Sequence, residues 1–194
     1  MNWKRNSILL LAASLLIMSA PVFATSMLHM DLAELTTRAD KIFRGTVIYV
    51  NEGSIEAGGG ELPVVTYRLR VEEIFKGEAT EVKGDKSMVE IRMVGSLVHS
   101  KADASGVVKL SGFRDVPKLK MDSDYVLFTT AESSVGLSVT VGLGQGAFSV
   151  YAVDGARDQF MAVNEFNNAG LGLNGSGAVE YDKLSAGIRS LLDQ

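Results

Sequence analysis

The stretch "VTYRLRVE", residues 65–72, constrains this chain more than any other feature. Val65, Tyr67, Leu69 and Val71 alternate with Thr66, Arg68, Arg70 and Glu72. A period of two sends the first set to one face of a strand and the second to the other. A strand that is apolar on one face and charged on the other suits an antiparallel sheet or a barrel wall. The same alternation returns in "SMVEIRMVG", with Val89, Ile91 and Met93 set against Glu90 and Arg92.

Other segments read as strands from their β-branched and aromatic content: "KIFRGTVIYV", "GVVKLSGF", "YVLFTT", "GLSVTVG", "AFSVYAV" and "RDQFMAV". "YVLFTT" is dense enough in apolar residues to be central. Asp154-Gly155 predicts a hairpin turn, and Asp122-Ser123 a second tight turn. The adjacent Glu72 and Glu73 break the alternation and predict a β-bulge. Gly53–Leu62 and Ser96–Ser105 read as surface loops. The Asn/Gly-rich run after Val163 reads as a mobile one. Helical spacing appears at the two ends of the folded region. Asp31 and Glu34 form a capping-box-like start to a helix over 32–39, and Leu184, Ile188, Leu191 and Leu192 form a stripe over about 180–192, with Asp182 as its cap. No βαβ alternation is present, which argues against a parallel doubly wound sheet. The expected fold is mainly β: a small antiparallel, partly closed OB-like barrel with a short N-terminal helix and a C-terminal helix.

The first 24 residues belong to a different class. Lys4 and Arg5 precede the uncharged run "ILLLAASLLI", residues 8–17, and then "MSAPVFA", with Val22 and Ala24 at small-residue cleavage positions. That is the plan of a secretory signal, and an apolar run of ten residues is too short to span a bilayer. The expected organisation is a signal peptide over 1–24 and one domain over 25–194, in a protein that is periplasmic or secreted. Removal of the two basic residues of the leader leaves 17 basic and 23 acidic residues, a net charge of −6. An acidic chain of this kind is a poor nucleic-acid binder. It has no cysteine, so neither disulfides nor a lipidated cysteine is open to it.

"VGLGQGAFSVY" places Gly142, Gly144 and Gly146 in a G-x-G-x-G frame. Phosphate-binding glycine loops work because a helix begins directly after them and presents its N–H groups to the anion. Here a strand-like pattern follows, so the glycines read as a bend, a bulge or a place of close packing. The two histidines, His29 and His99, have no ligand spacing, and no G-x-S-x-G motif occurs. Asp122 and Asp124 read as turn acids. Glu72 and Glu73 share a site only where a bulge re-aims one of them. No catalytic, cofactor or metal residue is assigned, and the expectation is a protein that is not an enzyme.

Ala39-Asp40, Gly45-Thr46-Val47, Thr66 with Val71 and Lys76-Gly77, Tyr125 with Phe128, and Gly142 to Gly146 occur in an order that resembles a group of exported bacterial proteins of uncharacterised function. The resemblance covers most of residues 32–153. It implies a small OB-like barrel similar to that of tissue inhibitors of metalloproteinases, and some members of the group accompany secreted metalloproteases. The animal inhibitors act through a disulfide-tethered N-terminal cysteine, a mechanism that a chain without cysteine does not share.

The leading reading is an exported, non-enzymatic binding or accessory protein whose partner is another exported protein, with a secreted protease as one partner class. Arg68 and Arg70 on the wet strand face are its candidate partner-binding residues, with the loops at Gly53–Leu62 and Ser96–Ser105 beside them. A small-molecule or glycan-binding barrel using Tyr67, Tyr125 and Tyr151 is the alternative. A hydrolase with a scattered site built on His29 or His99 is the second.

Overall fold

The computed structural model describes residues 28–79, 87–97, 116–156, 158–173 and 175–194. The leader, His99 and the strand expected at "GVVKLSGF" lie outside these residues, as does most of the Ser96–Ser105 loop.

Helix α1, Leu32–Arg38, starts where its cap requires. The Asp31 carboxylate accepts a hydrogen bond from the Glu34 N–H at 2.7 Å, which satisfies one of the donors a helix start leaves orphaned. Leu32 and Leu35 turn inward. The chain then becomes extended at Ala39 and enters the sheet.

Among the described residues seven antiparallel strands follow: β1 Lys41–Ala57, β2 Gly60–Lys76, β3 Met88–Val94, β4 Asp124–Thr129, β5 Ala147–Ala152, β6 Phe160–Asn164 and β7 Val179–Glu180. They form one sheet in the order β3-β2-β1-β4-β5-β6-β7, with β4 at its centre. Helix α2, Tyr181–Leu192, closes the chain. The turns at Asp122 and at Asp154-Gly155 are present. Asp182 lies inside the first turn of α2 rather than at its cap, where Glu180 stands without a side-chain hydrogen bond.

Three expectations are corrected. The sheet is open: among the described strands β3 and β7 are its edges, and no ladder joins them. The β4–β5 connection reaches the β3 edge through a hydrogen bond from the Ser138 N–H to the Arg92 carbonyl at 2.9 Å. The segment Gly53–Leu62 is not a loop but the end of a long β1–β2 hairpin, paired through Ala57↔Gly60, with Gly58 and Gly59 both at positive φ in its turn. "GLSVTVG" is not a strand. Its one bridge is Thr129↔Thr140, because β5 already occupies the β4 edge from Asp124 to Leu127.

Burial switches faces across the sheet. On β4, Val126 and Phe128 point into one core, shared with Leu32, Leu35, Phe148, Leu184 and Ile188 under the two helices. Tyr125 and Leu127 point into a second core on the opposite face, with Phe43, Val47, Tyr67, Leu69, Ile91 and Met93. Each large side chain buried in this way contributes about 1.5–3 kcal/mol. The helices therefore cover β4–β6 and the adjoining ends of β1 and β2, where Ile42 and Phe75 join the same core. The β1–β3 half of that face carries Arg44, Thr46, Thr66, Arg68, Arg70, Glu90 and Arg92.

The glycine run settles into a single 3-10 turn, Leu143–Gly146, followed at once by β5. A Cβ at Gly146 would collide with the Val141 carbonyl oxygen. The turn buries Gln145, whose amide oxygen accepts from the Met30 N–H at 2.8 Å and whose amide nitrogen donates to the Leu28 carbonyl at 3.1 Å. The glycines thus let a glutamine fasten the segment before α1. The Asn/Gly-rich run beyond β6 is tied down in the same manner. Asn168, fully buried, donates to the Ala162 and Gly177 carbonyls and accepts from the Asn164 N–H.

Candidate functional site

The boundary between the helix-covered and the polar half of the face is built around Arg44. Strand β1 pairs Arg44 with Glu73 and Gly45 with Val71, so Glu72 is the extra residue of a bulge. The strands close so tightly there that a Cβ on Gly45 would stand 2.7 Å from the Arg70 carbonyl oxygen. The bulge brings both adjacent glutamates to one side, as the sequence required for them to act together. The Glu72 carboxylate accepts from the Thr46 hydroxyl at 2.9 Å and lies 3.4 Å from Arg44. The Glu73 carboxylate accepts from the Tyr181 hydroxyl and from Arg189 on α2.

Arg44 donates twice to Asp124 Oδ2, at 2.6 and 2.8 Å, and its guanidinium lies over the rings of Tyr181 and Phe160 at 4.4 and 5.0 Å. Asp124 Oδ1 is buried without a hydrogen-bond partner among the described residues. Burial raises the Asp124 carboxyl above its ordinary value, and the hydrogen bond from Arg44 only partly offsets this. Burial and the Glu73 carboxylate push the Tyr181 hydroxyl up as well. The cluster docks α2 onto β1 and β2.

Farther along the polar half lies an open groove of about 300 Å³. Its lining comprises Tyr49, Asn51, Thr66, Arg68, Glu90 and Arg92, with Gly53, Ser54 and Ile55 of the hairpin at one end. Arg68 Nε donates to Glu90 at 2.8 Å, Arg92 donates to the other Glu90 oxygen at 3.3 Å, and the Arg68 guanidinium lies 4.5 Å from the centre of the Tyr49 ring. Burial alone would raise the Glu90 carboxyl. The hydrogen bonds from Arg68 and Arg92 outweigh it and hold Glu90 below the usual carboxylate range. Glu90 is therefore an anion shared by two cations.

The structure brings Arg68 into this groove and leaves Arg70 one pleat away, exposed, opposite Thr46 and Met88. Tyr49 and Arg92 were not singled out by the sequence reading. Arg92 carried the signal, since it alternates with Val89, Ile91 and Met93. Tyr49 did not: strict alternation places it with Phe43 and Val47, and the third register shift of the β1–β2 pair, between Val47 and Tyr49, turns it to the wet face. The three tyrosines of the small-ligand alternative do not converge. Tyr67 and Tyr125 belong to the second core, and Tyr151 is exposed on β5. His29 is exposed and meets Phe166 edge-on at 6.1 Å between ring centres. Among the described residues, no group of three or more His, Asp and Glu side chains is placed to hold a metal ion, and no described helix is long and apolar enough to cross a membrane. The chain matches no protein-family model and no curated protein.

Proposed function

We propose that this is an exported, non-enzymatic binding or accessory protein, and that the polar half of the helix-side face, centred on Arg68, is where it meets another exported protein. The observation that carries this reading is the groove itself. Two arginines, a shared glutamate and a stacked tyrosine lie on a rigid antiparallel frame, in hydrogen-bond and ring contact with one another, and neither described helix contributes to the groove lining. Rigid frames of this kind hold recognition side chains without a large ordering cost. The second core supports a protein partner over a ligand in a barrel mouth, because Phe43, Tyr67, Leu69, Met93 and Leu127 fill it. The leader-like first 24 residues support export, and the resemblance to exported barrel proteins supports an accessory role beside a secreted protease. A small-molecule or glycan ligand is the second reading, favoured by the exposed Tyr49 ring at the groove.

The test is a pull-down with Thr25–Gln194 against the exported proteins of its own source, read by mass spectrometry. A saturable partner released by Arg68→Glu supports the proposal. Absence of any saturable partner across salt conditions counts against it and turns attention to ligand screens of the groove.

A further inference from the structure

We infer that the groove receives an acidic, extended segment of the partner, and that one of its carboxylates seats against Arg68 and Arg92 in competition with Glu90. This deepens the binding reading above and rests on it.

Three observations carry it. First, the charge balance of the groove is opposite to that of the chain. Its ionised lining residues are Arg68, Arg92 and Glu90, a net positive set, whereas the whole chain carries −4. Second, one carboxylate serves two guanidinium groups. Glu90 takes the Nε of Arg68 and one terminal nitrogen of Arg92. An arginine has five N–H donors in a planar fork suited to carboxylate oxygens. The Arg92 side chain is 42% exposed, which leaves its fork accessible to a second anion. Third, the arginine plane is fixed in advance. The Tyr49 ring under Arg68 holds the guanidinium in place, so less rotamer freedom is lost on binding.

The rest of the lining favours a chain over a compact ion. Asn51, Ser54 and Thr66 are neutral hydrogen-bonding groups, and Ile55 and Val64 add apolar surface. The groove is open and lies across the face of three paired strands, β1, β2 and β3. A small ligand generally needs most of its surface enclosed, while a peptide laid along an open groove does not.

The test is a selection of displayed random peptides on immobilised Thr25–Gln194, followed by affinity measurements with the strongest peptide made synthetically. The expected result is enrichment in Asp and Glu and an affinity that falls as salt rises. Binding drops by about tenfold or more in Arg92→Gln and tightens by about threefold or more in Glu90→Gln. Glu90→Gln discriminates best, because a cluster that only shapes the groove loses binding with it, whereas a competing carboxylate gains. Circular dichroism confirms that both variants are folded. Peptides without acidic enrichment, or acidic peptides indifferent to both substitutions, overturn the inference. So does a polyuronate that outcompetes the peptide with the same arginine dependence, which would assign the groove to an anionic glycan. A protein captured in the pull-down, released by Arg68→Glu but indifferent to Arg92→Gln and Glu90→Gln, removes this inference and leaves the binding reading standing.

Discussion

Replacing Arg44 by methionine should destabilise the fold by an amount that depends on pH in a defined direction. The Arg44 and Asp124 side chains are 14% and 20% exposed. Methionine keeps apolar contact with Tyr181 and Phe160 but removes both hydrogen bonds to Asp124 Oδ2, while Oδ1 is already unpartnered among the described residues. Breaking a buried pair from one side costs about 3–5 kcal/mol. The residual exposure of Asp124 places this case near the lower end, about 3 kcal/mol at neutral pH. For a domain of this size that lowers Tm by about 6–12 °C. The Asp124 carboxyl already sits above its ordinary value, and losing Arg44 raises it further. A carboxyl raised in the folded state keeps its proton to higher pH than in the unfolded chain. Its contribution is therefore greatest below the unfolded value and is lost as pH rises through the folded one. The deficit of Arg44→Met should consequently shrink as pH falls. Arg44→Met combined with Asp124→Val removes both charges and should return to within about 1 kcal/mol of the parent. Urea unfolding of the parent, both single variants and the double variant across pH measures all of this. A deficit that does not change with pH, or a double variant as unstable as Arg44→Met, would refute the reasoning.

Gly45→Ala should cost about 1–3 kcal/mol, because its Cβ meets a backbone carbonyl that has no freedom to swing aside; urea midpoints measure it. Gln145→Ala removes the side-chain bonds to Leu28 and Met30. It should cost about 1–3 kcal/mol and speed amide exchange at Met30 well beyond the change elsewhere. Burial pushes the Tyr67 hydroxyl up to about 12, so the unfolded chain ionises first on the alkaline side. Stability should fall between about pH 10 and 12, by less in Tyr67→Phe, as alkaline unfolding followed by circular dichroism will show.

The strand pattern was legible because alternation is local: Val65 to Val71 and Val89 to Met93 choose their faces without help from distant residues. The bulge at Glu72 was also legible, since two adjacent acids at the end of an alternating run leave few other arrangements. What the sequence hid depends on pairing between distant segments. Gly53 to Leu62 looked like a loop from its glycines, yet two of those glycines make the tight turn that lets the flanking residues pair. "GLSVTVG" has strand composition but no free partner edge along most of its length. Closure was over-read because alternation cannot tell a barrel wall from an open sheet whose burial changes face at β4. In the site, Arg68 was accessible to pattern reasoning. Tyr49 was not, because one irregular residue reverses the face of everything after it.

The central claim is that partner binding falls on the polar half of the helix-side face. Oxidative footprinting of the captured complex tests it most directly, because two exposed tyrosines report on different surfaces. Tyr49 is 38% exposed in the groove and Tyr151 is 46% exposed on β5. Protection of Tyr49 on partner binding, with Tyr151 labelled as in the free protein, is the result the account predicts. Protection of Tyr151 with Tyr49 still fully labelled would contradict it.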